Sequence, residues 1–136
     1  MNIEIPVSVG ELIDRITILR LKRARIRDRR KLANVTSELE RLEAIWKRAI
    51  GSLDDASPHV RRRVAELDEA NRGIWDVEDE LRALERADDF GPRFTAAARQ
   101  VYRLNDERHR LKRTLSEAYG SRILEEKSHA TANPGP

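Results

Sequence analysis

Cysteine is absent from this chain of 136 residues, and aromatic residues make up only 4% of it. The lack of cysteine excludes disulfide bonds and metal sites built on thiolates. No apolar run approaches the roughly 18 residues that a membrane helix needs, and the N-terminus has no apolar signal segment, so we expect a cytoplasmic protein without a membrane span. Only six Gly and five Pro interrupt the chain, which favours long helices.

Charged residues are abundant and nearly balanced, because 27 Lys and Arg stand against 24 Asp and Glu, for a formal net charge of +3. This small excess of base permits an anionic partner without demanding one. Ala, Glu, Leu and Arg dominate the composition, as is typical of helical bundles and coiled coils. The hydrophobic fraction of 39% is sufficient for folding, because a long helix needs only one apolar stripe.

The first seven residues predict a short extended arm, because apolar residues alternate with polar ones and Pro6 disfavours a helix. The first helix begins after Ser8, which is spaced from Glu11 as in a capping box. This helix contains the stretch that is richest in branched aliphatic residues, GELIDRITILRL at 10–21. Its apolar residues lie on two sides, so we expect it to be an internal element of the bundle or part of a dimer interface.

Apolar residues at helical spacing predict three further helices. The second follows Asp28, the third begins at Ser57-Pro58, and the fourth runs from a break at 88–92 to Gly120. Short connections imply antiparallel neighbours. We therefore predict an all-α fold, an antiparallel bundle of four main helices with a short extended N-terminal arm.

The domain organisation follows from this pattern. Residues 1–128 are predicted to form one helical-bundle domain, in which 121–127 add a short helical turn, and 129–136 are predicted to be a disordered polar tail. The third and fourth helices are longer than the first two, so their ends would be bare in a monomer. We therefore expect a homodimer.

Polar side chains border the apolar stripes on three of the helices, and polar groups near a bundle core must be paired. One interpretation is a salt-bridge network that sets the helix register, with a Glu78–Arg108 pair between the third and fourth helices. The other is a polar pocket that binds an anionic small molecule or a partner protein. The candidate ligand-binding residues are Asp14, Lys22, Asn71, Trp75, Glu78, Asn105, Arg108 and Lys112.

The stretch Arg20–Lys31 holds eight Arg or Lys in twelve residues, opposed by Asp28 alone. Such a run usually forms a solvated face, and cations at the end of the first helix also complement its dipole. The alternative is weak binding of nucleic-acid phosphates through 20–31. No aromatic residue interleaves with the run, so base stacking has no support and nucleic acid is not the expected partner. The candidate basic-surface residues are Arg23, Arg27, Arg30 and Lys31.

Motifs for catalysis, metals or cofactors are absent from the sequence. The nearest metal-like spacing, Asp106-x-x-His109, occurs once, whereas metal sites in bundles use such pairs on two helices. There is no Gly-rich phosphate loop and no nucleophile elbow. We expect no catalytic residues, no metal and no cofactor, and a binding or interaction protein rather than an enzyme. The alternative is a small enzyme that acts on an anionic metabolite through Lys22, Glu78, Arg108 and Lys112.

Five segments together resemble a family of small bacterial helical proteins of unknown function: GELIDRITILRLK (10–22), WDVEDELRALE (75–85), FGPRF (90–94), YRLNDERHRLKR (102–113) and EEKS (125–128). The resemblance spans nearly the whole chain except the tail and implies no activity. The positions it marks are Glu11, Asp14, Lys22, Trp75, Glu78, Asn105, Arg108, Lys112, Glu125, Glu126 and Lys127. The first helix also resembles, over a short stretch, that of the all-helical chorismate mutases, which implies only that a helical bundle can hold a site for a small anion.

Overall fold

A computed structural model describes residues 1–120 of the chain. Four α-helices follow one another: α1 (Val9–Arg25), α2 (Arg29–Ala49), α3 (Pro58–Arg86) and α4 (Pro92–Ala118). A 3₁₀ turn at Leu53–Asp55 joins α2 to α3, residues 1–7 form an exposed arm, and no strand occurs between residues 1 and 120. The all-α prediction with four main helices is confirmed. The helical turn predicted at 121–127 and the tail predicted at 129–136 lie outside the described residues.

Local capping explains where three of the helices begin. The hydroxyl of Ser8 accepts a hydrogen bond from the backbone N–H of Glu11 at 3.0 Å, and the carboxylate of Asp28 accepts one from Lys31 at 3.0 Å. Ser57 caps α3 in the same way, with Pro58 in the first turn. Each cap satisfies a backbone N–H that has no partner inside its helix.

Helix α1 is the centre of the bundle. The two long helices α3 and α4 form a hairpin, α1 lies against both of them, and α2 packs mainly against α1. This position explains why α1 has apolar residues on two sides. The core lies where α1 meets its neighbours, and burial of each large side chain there stabilises the fold by roughly 1.5–3 kcal/mol. Its most deeply buried members are Ile13, Ile16, Leu39, Leu67, Leu111 and Leu115.

The hairpin extends beyond the end of α1. Arg25 in the last turn of α1 forms an ion pair with Asp76 of α3, and this ion pair divides the hairpin into two parts. We call the remainder, residues 77–102, the distal hairpin. In it only Leu84 and Ala97 are buried, and Tyr102 is 63% exposed. No helix within residues 1–120 is long and apolar enough to cross a membrane.

Candidate functional site

A buried carboxylate lies where α1 meets the hairpin. Asp14 of α1 is 1% exposed, and Arg108 of α4 binds both of its oxygens, with Nε 3.0 Å from Oδ1 and Nη2 2.6 Å from Oδ2. Asn71 of α3 donates from Nδ2 to Asp14 Oδ1 at 3.0 Å and to the hydroxyl oxygen of Thr17 at 3.1 Å. The Thr17 hydroxyl donates in turn to the Asp14 carbonyl oxygen at 2.8 Å. These bonds connect three helices through one charged group.

A second ion pair lies nearer the start of α1. Lys112 of α4 has a side chain that is 6% exposed, and its Nζ lies 2.6 Å from Oε2 of Glu11. The other Glu11 oxygen accepts a hydrogen bond from Arg15 Nε at 2.7 Å. The buried hydroxyl of Ser116 accepts the backbone N–H of Gly10 at 2.9 Å. A Cβ atom at Gly10 would lie 2.1 Å from the Lys112 carbonyl oxygen, so this close approach of α1 and α4 requires glycine.

We call these seven residues the polar network: Glu11, Asp14, Thr17, Asn71, Arg108, Lys112 and Ser116. Hydrogen bonding to Asp14 raises the pKa of Arg108 above its usual value, although burial acts in the opposite direction. Burial acts to raise the pKa of Glu11, but hydrogen bonds from Lys112 and Arg15 outweigh it and leave that pKa lowered. Both groups are therefore charged at neutral pH, and each cation of the network is held by a carboxylate.

Part of this network was predicted from the sequence. Asp14, Asn71 and Arg108 meet as candidates of one polar cluster, and Lys112 lies one turn from Arg108 on α4. The predicted Glu78–Arg108 pair is wrong, because Arg108 binds Asp14, while the exposed Glu78 acts on it only through space. Asn105 is half-buried and makes no side-chain hydrogen bond within the described chain.

Two further candidates lie at the edge of the network and not in it. The guanidinium carbon of Arg25 lies 5.6 Å from the centroid of the Trp75 ring, and Arg25 Nη1 lies 2.6 Å from Asp76 Oδ1. Lys22, one turn earlier on α1, is half-buried and has no ion pair within residues 1–120. Arg25 thus links the end of α1 to α3, while Lys22 has no carboxylate partner in the part of the chain that the structure describes.

Cations without partners gather where α1 ends and α2 begins. We define the basic corner as Lys22, Arg23, Arg27, Arg29, Arg30 and Lys31. No ion pair neutralises any of these six side chains between residues 1 and 120, and all except Lys22 are exposed. The carboxylate of Asp28 lies among them but caps α2. The bordering Arg20 and Arg25 are paired with Glu43 and Asp76.

The sequence reasoning missed three parts of the site. Thr17 and Ser116 are small hydroxyl residues, and their sequence neighbours give no signal of a hydrogen-bonding role. The pairing of Glu11 with Lys112 was also missed, since Glu11 was assigned to the helix cap. A groove of about 380 Å³ between α1, α2 and the 3₁₀ turn was not anticipated either; Ile16, Trp46 and Leu53 line it.

These features define an all-α bundle that holds charged groups between its helices, and no cluster of His, Asp or Glu able to bind a metal occurs in the described part. The whole chain, residues 1–136, matches the model of a family described as Family of unknown function (DUF6165), and the chain belongs to this family. The resemblance to a helical family of unknown function is thus confirmed. No curated protein and no solved structure matches the chain.

Proposed function

We propose that this protein is a non-enzymatic binding module that holds an acidic protein surface against its basic corner. One observation carries the proposal: six cations stand together without a carboxylate partner in the described chain, whereas the cations of the polar network are each neutralised. Crowded like charges repel one another, so an acidic partner relieves this repulsion and is attracted over a distance.

The polar network supports this function as a framework. Asp14, Arg108 and Asn71 fix α1 against both helices of the hairpin, so that the end of α1, which carries two of the six cations of the basic corner, has one position. A small anion that entered the network would have to separate Arg108 from Asp14. That exchange would leave a buried carboxylate without its cation, which is costly. The network is therefore a weaker candidate than the corner for binding an anion.

A protein partner is favoured over nucleic acid by the composition of the corner. No aromatic residue occurs between residues 22 and 31, and the Arg25 guanidinium already covers one face of the nearby Trp75 ring, so the corner offers bases little surface on which to stack. Binding to an acidic protein surface requires only complementary charge and shape. The test below also distinguishes binding of nucleic acid from binding of an acidic protein surface.

The test measures binding of a fluorescent polyglutamate peptide by anisotropy at about 50 mM and about 200 mM salt, a range over which screening of exposed charges grows. The variant Arg27→Glu with Arg30→Glu reverses the corner. We expect it to weaken binding at least tenfold at the lower salt concentration. The matched control is Arg61→Glu with Arg62→Glu, which changes the net charge equally on two exposed cations of α3 and should bind like the wild type.

Two outcomes contradict the proposal. Equal loss in both variants would mean that net charge alone is sensed and that the corner has no special role. Tighter binding to a DNA duplex than to the peptide, lost on reversal of the corner, would assign the corner to nucleic acid. All four substituted side chains are exposed, so we expect each variant to fold. The helical signal in circular dichroism checks this.

A further inference from the structure

The two signs of charge are separated along this chain to a degree that the small net charge conceals. Residues 22–31 contain seven Lys or Arg and one acidic residue. Residues 76–89 contain seven Asp or Glu and two Arg. The first segment contains the six residues of the basic corner and Arg25. The second segment covers the last part of α3 and the turn to α4. One molecule therefore presents two surfaces of opposite charge.

Within one copy, these two surfaces scarcely neutralise each other. The single ion pair that joins them in the described chain is Arg25–Asp76. Oε1 of Glu80 lies 3.4 Å from Nη2 of Arg93 on α4. Five other acidic side chains of the second segment form no ion pair within residues 1–120. These five are Glu78, Asp79, Glu85, Asp88 and Asp89. Within residues 1–120, most of the charge of the basic corner and of this acidic surface is therefore left for an external partner.

The acidic surface lies on a face of the hairpin that nothing in the described chain covers. Asn71 of α3 faces α1, since it donates to Asp14. Glu78 and Glu85 follow at intervals of seven residues and so continue the same line along α3, with the exposed Arg82 between them. On α4, Val101 lies seven residues before Arg108 and continues the line that faces α1. This face of the hairpin therefore combines exposed carboxylates with the half-buried Val101.

We propose that two copies of this chain bind each other reciprocally, with the basic corner of each copy against the acidic face of the other copy's distal hairpin. The inference rests on the proposed function, because it identifies the acidic partner of the corner as a second copy. Charge complementarity argues for this occupant: the corner has six cations, and the last part of α3 with the turn that follows has five carboxylates, Glu78 and Glu85 among them, that form no ion pair in the described part of the chain. A two-fold arrangement makes each contact twice, which doubles a contact that is weak when made once.

The arrangement predicts an outcome that unrelated modes of self-association do not share. The corner-reversed variant is Arg27→Glu with Arg30→Glu, and the hairpin-reversed variant is Glu78→Lys with Glu85→Lys. Each variant alone places like charges at both contacts and should be monomeric. An equimolar mixture should form a heterodimer, because the reversed corner meets the reversed hairpin at one contact and native surfaces meet at the other.

Size-exclusion chromatography with light scattering, over a dilution series at low salt, measures the result. We expect the wild type to have twice the chain mass of 15.7 kDa, each variant to have the mass of one chain, and the mixture to regain the doubled mass. Chromatography of one tagged variant with the untagged other identifies the heterodimer. The control Arg61→Glu with Arg62→Glu should remain dimeric. Circular dichroism establishes that the variants are folded.

Three results would overturn the inference: a wild type that is monomeric throughout, dimers that persist in both variants, or folded monomeric variants that do not associate on mixing. The anisotropy measurement separates this failure from failure of the proposed function. If the wild type is monomeric but reversal of the corner still abolishes peptide binding, the corner binds an acidic partner other than a second copy. If reversal of the corner leaves peptide binding unchanged at protein concentrations at which light scattering shows monomers, both proposals fail.

Discussion

The α3–α4 hairpin has two halves with different surroundings. In the half covered by α1, Leu67, Leu111 and Leu115 are 0% exposed, and the buried Asp14 is paired with Asn71 and Arg108. In the distal hairpin only two residues are buried, and most of the acidic side chains have no ion pair in the described chain. The difference arises from α1, which packs against only one half of the hairpin. Where α1 is present, removal of water forces charges to pair, and where it is absent, charges remain available.

Truncation of a leucine in each half provides the largest expected contrast. Leu111→Ala removes a fully buried side chain beneath α1 and should lower the free energy of unfolding by about 3–5 kcal/mol. Leu81→Ala makes the same chemical change at a half-buried site in the distal hairpin and should cost about 1–2 kcal/mol in the monomer. Urea denaturation of both variants measures this. Equal costs would mean that something covers the distal hairpin as completely as α1 covers the other half.

Removal of a carboxylate in each half gives the next largest contrast. Asp14→Ala leaves Arg108 without its carboxylate, removes one of the two acceptors of Asn71, and should destabilise the fold by about 3 kcal/mol. Asp79→Ala removes an exposed carboxylate from the distal hairpin and should change stability by less than about 0.5 kcal/mol.

Thermal and urea unfolding compare the two aspartate variants. A double-mutant cycle with Arg108→Ala isolates the pair, and the two single substitutions should be strongly non-additive. Additive effects would show that the Asp14–Arg108 contact contributes little, and would remove the network as the framework of α1.

The pH dependence of Glu11 is the smallest expected effect. Its pKa is lowered in the folded state, because the hydrogen bonds from Lys112 and Arg15 outweigh burial. A carboxyl with a lowered folded pKa stabilises the fold fully above its unfolded pKa, near 4.5, and this contribution is lost as the pH falls through the folded value. Stability should therefore decline below about pH 4.5.

The Glu11→Gln variant shows how much of that acid decline depends on Glu11. Its unfolding free energy should change less with pH between neutrality and acid than that of the wild type, when both are measured by urea denaturation across the range. The matched variant Glu4→Gln, on the exposed arm, should keep the wild-type dependence. An acid decline that is identical in all three proteins would contradict the role assigned to Glu11.

Much of the fold could be predicted from the sequence, because its signals are local. Ser8, Asp28 and Ser57 mark helix starts through a side chain that bonds the backbone three residues later. Apolar periodicity then assigns the inner face of each helix, and the residues on two sides of α1 indicate its central place. The importance of Asp14 was also accessible, since it lies among branched aliphatic residues in the middle of α1.

The Glu78–Arg108 prediction failed because periodicity gives the direction of a side chain around its helix but not the offset between helices. Arg108 and Asn71 both bind Asp14, so they lie at the same level of the bundle. Glu78 is seven residues further along α3, and this separation corresponds to about 10 Å. No local signal in the sequence gives this offset, which is set by the packing of α1 into the hairpin.

The scarcity of aromatic residues gives this protein two optical reporters in separate regions. The chain contains two Trp residues. Trp46 is 5% exposed and packs edge-on against Tyr119, so its emission reports the integrity of the core between α2 and the end of α4. Trp75 lies beneath Arg25, beside the basic corner, so its emission reports that surface. With Trp46 replaced by Phe, the fluorescence of the remaining indole becomes an intrinsic signal for any acidic molecule that approaches the corner.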